Sequence, residues 1–407
     1  MSTFQKISPV DAKPKSHAHI IQTDAEALAI AQRFAQQLKI DAVQRDQQRL
    51  LPFDEIEALS QSGLWAITVP KQYGGAEVTT QTLVKIIALI SGADGSIGQI
   101  PQNHFYALEV LRNSGTEQQK QKYYAEVLAG ARFGNALAEF KTKTSAAKYS
   151  TVTATAQGYV VNGEKFYCTG SLFAHRIPTL VRDVDEREYL AFIPADREGL
   201  QRIDDWSGFG QKITGSGTVK LHQVKVSADE LLPFDQVFQL PTLVGPLAQI
   251  MHAAIEVGIA RAAFEETLLR VKKARPWIDA DVDFAHQDPL TLFELGRVAA
   301  DVRASELLLQ HAAQSIELAR PRPDIENIAR ASIDVAKVRA HSSETALKAA
   351  SKLIELAGSR GSQRSDGLDR YWRNARVHTL HDATRWKYYF IGQYILNGQL
   401  PPRRGTL

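Results

Sequence analysis

The sequence predicts an α+β fold that is mostly helical. Three observations predict it: apolar residues at helical spacing from Asp24 to Leu128, a switch to period-two alternation near Phe133, and long helical stripes after Leu240. The layers are an N-terminal helical domain, a small central β-barrel or sandwich, and a C-terminal four-helix bundle. The expected boundaries are a flexible arm over 1–20, the helical domain over 21–131, the β-domain over 132–238 and the bundle over 239–407.

The arm carries Ser, Pro and Lys without periodicity. Helix begins at Asp24, which is placed as an N-cap before Ala27, Leu28, Ala31, Phe34, Ala35 and Leu38. Further helices are expected over Phe53–Ser62, Thr80–Ser91 and Glu117–Leu128, with a Gly-bearing loop at Val69–Gly75. Strands are expected at Thr151–Thr155, Leu180–Asp183, Glu188–Ile193 and Gly217–Val226. A hairpin is expected to turn at Asn162-Gly163 within Tyr159–Thr169. Four long helices close the chain, at roughly 245–271, 289–319, 324–357 and 367–396.

Charge excludes some partners. With 48 basic against 45 acidic residues the net charge is only +3, so no broad field draws nucleic acid or an anionic membrane. The single cysteine, Cys168, rules out an intramolecular disulfide and fits a reducing compartment. No secretory h-region opens the chain and no apolar run is read as a membrane span, which places the protein in the cytoplasm.

The densest chemistry lies in Tyr371-Trp372-Arg373-Asn374-Ala375-Arg376-Val377-His378-Thr379-Leu380-His381-Asp382. His378 and His381, three apart, are expected on one helical face. No metal is expected: the zincin glutamate is missing between them, and no third ligand is nearby.

The three-layer plan resembles the acyl-CoA dehydrogenase fold. The blocks that carry the resemblance are Gly134–Glu139, the segment Asn162–Gly170, and Asp205–Thr218. Tyr167-Cys168-Thr169-Gly170 is similar to the family's aromatic-Ile-Thr-Asn run, whose threonine approaches flavin N5, and the resemblance gives that role to Thr169. It implies a flavin cradle of Asn135, Leu137, Ala138, Tyr167, Thr169 and Trp206.

The run from Trp372 to Asp382 sharpens the resemblance toward the dibenzothiophene monooxygenase-like and sulfur-acquisition branch. Where the dehydrogenases carry a catalytic glutamate, this chain has His381 and Asp382. The resemblance implies a C4a-(hydro)peroxyflavin with His381 and Thr169 beside it, Asn135 and His104 lining the pocket, and His378 behind them. An imidazole suits that place, since it both donates a hydrogen bond and manages a proton near neutrality. The alternative is an FAD-dependent acyl-CoA dehydrogenase-type enzyme with Asp382 as base.

The family's adenylate-binding segments are degraded, as Arg275-Pro276-Trp277-Ile278 and Glu355–Gly361, and the pyrophosphate run is replaced by Lys141–Ala146. This implies FMN, arriving reduced as FMNH2, rather than FAD, with Arg275 and Arg360 as phosphate ligands. The expected partners are an organosulfur substrate, O2, a separate NAD(P)H:flavin reductase and three further copies in a homotetramer. The missing Gly-x-Gly-x-x-Gly fingerprint agrees with reduction elsewhere.

Overall fold

A computed structural model describes Pro14 and residues 17–139 and 149–407. The Lys141–Ala146 run and most of the expected arm lie outside the described residues. Five helices come first: α1 Asp24–Gln48, α2 Phe53–Gln61, α3 Thr80–Ala93, α4 Ile100–Ser114 and α5 Glu117–Leu128. The cap of α1 is Thr23, not Asp24: its hydroxyl accepts from the Glu26 N–H at 3.1 Å. Asp24 instead accepts from the N–H and hydroxyl of Thr79, tying α1 to the start of α3.

The β-region is one seven-stranded sheet in the order β5-β6-β2-β1-β3-β4-β7. The strands are β1 Thr151–Thr155, β2 Gly158–Lys165, β3 Arg176–Arg182, β4 Glu188–Pro194, β5 Leu200–Ile203, β6 Thr218–Val226 and β7 Leu231–Pro233. The expected turn at Asn162-Gly163 is not a turn. β2 runs straight through it, and the β1–β2 hairpin turns two residues after Thr155, where Thr155 pairs with Gly158.

Asn162-Gly163 instead serves a register shift against β6. The Asn162 Oδ1 accepts from the Gln223 N–H at 2.8 Å where Gln223 takes a φ of 52°. Glycine is required next to it, because a Cβ on Gly163 would stand 2.2 Å from the Ser150 hydroxyl oxygen.

The bundle contains α6 Val244–Val271, α7 Pro289–Ala319 and α8 Ile325–Leu356. Its expected fourth helix is two helices, α9 Asp369–His378 and α10 Thr384–Asn397. The Thr379 hydroxyl donates to the Arg376 carbonyl at 3.0 Å, the turn closes from the His381 N–H to the His378 carbonyl, and Ala383 is extended. His381 and Asp382 therefore sit in a break.

Helix α6 is long and apolar enough to cross a membrane by length and composition, which corrects the expectation that no segment passes that test. It is the core helix, with 94% of its apolar window buried. It packs against α3 and α8, and Gly258 lets α3 approach: a Cβ there would meet the Ala88 carbonyl oxygen at 2.2 Å. Large side chains buried along it each contribute roughly 1.5–3 kcal/mol. By contrast, Lys387 is the one buried residue of α10.

Candidate active site

Two polar strings meet on α9. The first is made of hydroxyls and belongs to the β-region. Thr169 Oγ1 lies 2.7 Å from Ser216 Oγ, and Ser216 Oγ lies 2.6 Å from Thr214 Oγ1. Thr214 donates onward to the Gln211 carbonyl at 3.0 Å. A hydroxyl has one hydrogen. Thr214 has used its own, so Ser216 donates to Thr214 and Thr169 donates to Ser216. Thr169 is left with lone pairs only.

The loop that anchors this string is held by the motif helix. Gln211 takes a φ of 52°, its N–H donates to Asn374 Oδ1 at 2.7 Å, and its side-chain Nε2 donates to the Gly95 carbonyl at 2.9 Å. Asn374 thus has a definite task, which its place in the motif did not reveal. Trp206 Nε1 donates to the same Gln211 carbonyl at 2.8 Å.

Around Thr169 the structure gathers the expected flavin residues. The Thr169 N–H donates to the Tyr167 carbonyl at 2.8 Å, as does Asn135 Nδ2 at 3.4 Å. Ala138 bridges to Phe166 one residue before Tyr167, and Leu137 packs beside it against the core. Tyr167 and Trp206 stand edge to face with ring centroids 6.0 Å apart. Asn135 Oδ1 is buried without a hydrogen-bond partner. A half-exposed aromatic corner, an orphaned acceptor and a hydroxyl of fixed direction fit a planar heteroaromatic ring carrying N–H groups.

The second string is made of imidazoles and carboxylates and belongs to the bundle. His378 is fully buried. Its Nδ1 lies 3.0 Å from Glu256 Oε1, and its Nε2 lies 3.1 Å from His252 Nδ1. Glu256 Oε1 also receives Arg339, and its Oε2 accepts from Ser342 at 2.8 Å and Ser343 at 2.9 Å. Burial alone would raise this carboxyl, but Arg339 and His378 outweigh it and hold it down at about 2.

His381 is joined to this string by ring contact rather than by helical register. Its ring centroid lies 4.1 Å from that of His252, with the planes at 37°. Its side chain is 48% exposed, against none of His378, so it is the ring that a ligand can reach. Asp382 Oδ2 stands 3.3 Å from His381 Nδ1, which turns Nε2 away from the carboxylate. Sequence reasoning missed His252 and Glu256. The signal was available: His252 and Glu256 are the only ionisable residues between Val244 and Ala260, four apart in the apolar first part of the helix.

Asp382 makes a poor base. Burial would raise its carboxyl, but His381, Lys387 at 3.8 Å and Arg339 pull it well below the carboxylate range. A group that releases its proton so readily does not take one from a carbon acid.

His104 is placed otherwise than expected. It is fully buried, its Nε2 donates to the Trp65 carbonyl at 2.8 Å, and its Nδ1 accepts from the Phe133 N–H at 3.0 Å. Burial takes the ring down to about 3. Both nitrogens serve the backbone, so His104 holds the helical domain to the β-region and has none to offer a ligand. Arg275 and Arg360 are exposed and form no ion pair with the described residues, and no contact joins either to Thr169. Among the described residues no group of three His, Cys, Asp or Glu could hold a metal.

Residues 23–131 match the acyl-CoA dehydrogenase N-terminal domain and residues 250–386 its C-terminal domain. Dibenzothiophene monooxygenase of Rhodococcus qingshengii is 30% identical over 398 residues, covering 93% of this chain and 95% of the relative. A probable FMNH2-dependent monooxygenase, SfnC of Pseudomonas putida, is 30% identical over 393 residues, covering 92% of this chain and 96% of the relative. The crystal structure of FMN-bound TdsC from Paenibacillus sp. A11-2 superposes with a TM-score of 0.89 at 29% identity, covering 94% of this chain and all of that one. By its domains, its fold and the extent of these similarities, the chain belongs to the acyl-CoA dehydrogenase family.

Proposed function

We propose that this protein is an FMNH2-dependent monooxygenase that uses O2 to oxygenate a small organosulfur compound for sulfur acquisition. One observation carries the proposal: where the fold's dehydrogenases need a carboxylate base, the chain offers the exposed imidazole of His381 and, beside it, an Asp382 held ionised by the positive charges around it. The monooxygenase relatives, similar over more than nine-tenths of the chain, support the same choice.

Reduced FMN, when bound, supplies the electrons that activate dioxygen. The chain's own residues do the rest. Thr169, with its hydrogen committed to Ser216, would accept from an N–H of the bound flavin. Asn135 Oδ1 accepts a second N–H. Tyr167 and Trp206 wall the ring and exclude water. His381, with Asp382 Oδ2 3.3 Å from its Nδ1, would present Nε2 to hold or release a proton at the reacting oxygen.

A second copy of the chain completes the site in this proposal. Leu290 and Phe293 of α7 and Trp386, Tyr389, Ile395 and Leu396 of α10 are exposed, and large apolar side chains left open on these two helices suit burial between copies. Arg275 and Arg360, without an ion pair among the described residues, then serve as phosphate ligands to a flavin held by a neighbour, within a homotetramer. A separate NAD(P)H:flavin reductase supplies FMNH2, and the cytoplasm is the compartment.

The test is anaerobic titration with FMNH2 and with reduced FAD, then rapid mixing with oxygenated buffer under near-ultraviolet absorbance. Preferential FMNH2 binding and an oxygen-dependent transient before the oxidised spectrum returns are expected. Tight FAD binding with bleaching by an acyl-CoA overturns the proposal.

A further inference from the structure

We propose that His252 is a positioning residue for His381, and that Glu256, acting through His378, fixes the direction of the hydrogen that His252 carries. The inference rests on the function proposed above only in taking His381 as the working ring. The geometry stands by itself. His252 and Glu256 are four residues apart on α6, so their side chains lie on one face a helical turn apart, and His378 from α9 spans them.

The hydrogens can be placed by counting. Glu256 takes donors from Arg339, Ser342, Ser343 and His378, so it is an ionised carboxylate and the His378 Nδ1 carries a hydrogen toward it. The positive charge of Arg339 already balances Glu256, which leaves nothing to balance a charged His378. A neutral His378 therefore has a bare Nε2. The 3.1 Å approach of two imidazole nitrogens needs one hydrogen between them, and it belongs to His252 Nδ1.

His252 is thereby a neutral ring with its hydrogen turned inward. Burial and the neighbouring rings of His381 and His378 both act against charging it. The charged or titratable groups packed about it are Glu256 from α6, Arg339 from α8, His378 from α9, His381 and Asp382 from the break, and Lys387 from α10. Lys387 and Asp382 lie 3.8 Å apart and balance each other as Arg339 and Glu256 do. The cluster is neutral with all three histidines uncharged, and His381 is the one of the three whose ring is half exposed. The flat neutral face of His252 at 4.1 Å is the platform for that ring, whereas a charged ring there would repel positive charge beside it.

The experiment uses the full chain with nitrogen-labelled histidine. Long-range nitrogen–proton spectra between about pH 5 and 8 should show His252 and His378 neutral with the hydrogen on Nδ1. A hydrogen on His252 Nε2, or titration of His252 in that range, overturns the inference. In Glu256→Gln the His252 hydrogen should move to Nε2 in part of the population, and an unchanged spectrum removes Glu256 from the role.

Function is read, without substrate, as the decay rate of the oxygen-dependent absorbance transient after the FMNH2-loaded protein meets O2. His252→Ala should raise it about tenfold, and His252→Phe, which restores a flat ring, should recover most of that loss. Equal behaviour of the two variants overturns the platform role, and if the alanine variant does not fold, the wild-type spectra and the phenylalanine variant still decide. Should FMNH2 not bind the wild type, the proposed function fails while the spectra still judge the hydrogen placement.

Discussion

The two strings that meet on α9 differ in what they are made of. The hydroxyl string from Thr169 to Gln211 contains no ionisable group, so it fixes a direction and has no charge to change. The imidazole string from His381 to Arg339 carries neutral rings among two balanced ion pairs, Arg339 with Glu256 and Lys387 with Asp382, so it holds both protons and stability. Asn374 and His378 are one turn apart on α9: Asn374 holds the end of the first string, and His378 is the middle link of the second. The fold therefore separates a part that orients from a part that titrates, and sets them on adjacent turns of the same helix.

The sharpest way to break this contrast is Glu256→Ala. It leaves Arg339 as an unpaired buried charge, and the expected loss is roughly 3–5 kcal/mol in urea unfolding. Acid tests the same pair without mutation. Because the folded carboxyl lies below its ordinary 4.5, its stabilisation is present above that pH and is lost as pH falls toward about 2. The expected size is roughly 3 kcal/mol, and an unfolding curve flat across that window would separate Glu256 from stability.

His381→Ala comes next. It should leave FMNH2 binding intact and speed the decay of the oxygen-dependent transient about tenfold, and an unchanged decay would end the proton role of that ring. The smallest effect belongs to the hydroxyl string. Ser216→Ala should cost only about 1 kcal/mol in unfolding, with no dependence on pH between about 5 and 8. A pH-dependent loss there would erase the distinction between the strings.

Much of the fold was legible because periodicity is a strong signal over long segments. The expected β1 and α5 agree with the structure residue for residue at Thr151–Thr155 and Glu117–Leu128. Asn162-Gly163 was misread because its local chemistry suits both a turn and a register shift, and the choice depended on Ser150 and Gln223, distant in sequence. The site divides in the same way. Thr169, Tyr167, Trp206 and Asn135 lie in short motifs and are found together. His252 and Glu256 were absorbed into the apolar stripe of α6, since only packing shows that both meet His378.

The hydroxyl string ends on the main-chain carbonyl of Gln211, and a carbonyl can only accept. Its orientation is therefore written in the backbone. Exchanging serine for threonine, or the reverse, at 214 or 216 would leave the sense of every bond unchanged. Genetic drift among small alcohols at these positions is then silent at Thr169, and a protein engineer could reshape the surrounding loop by such swaps while the polarity of the cradle persists.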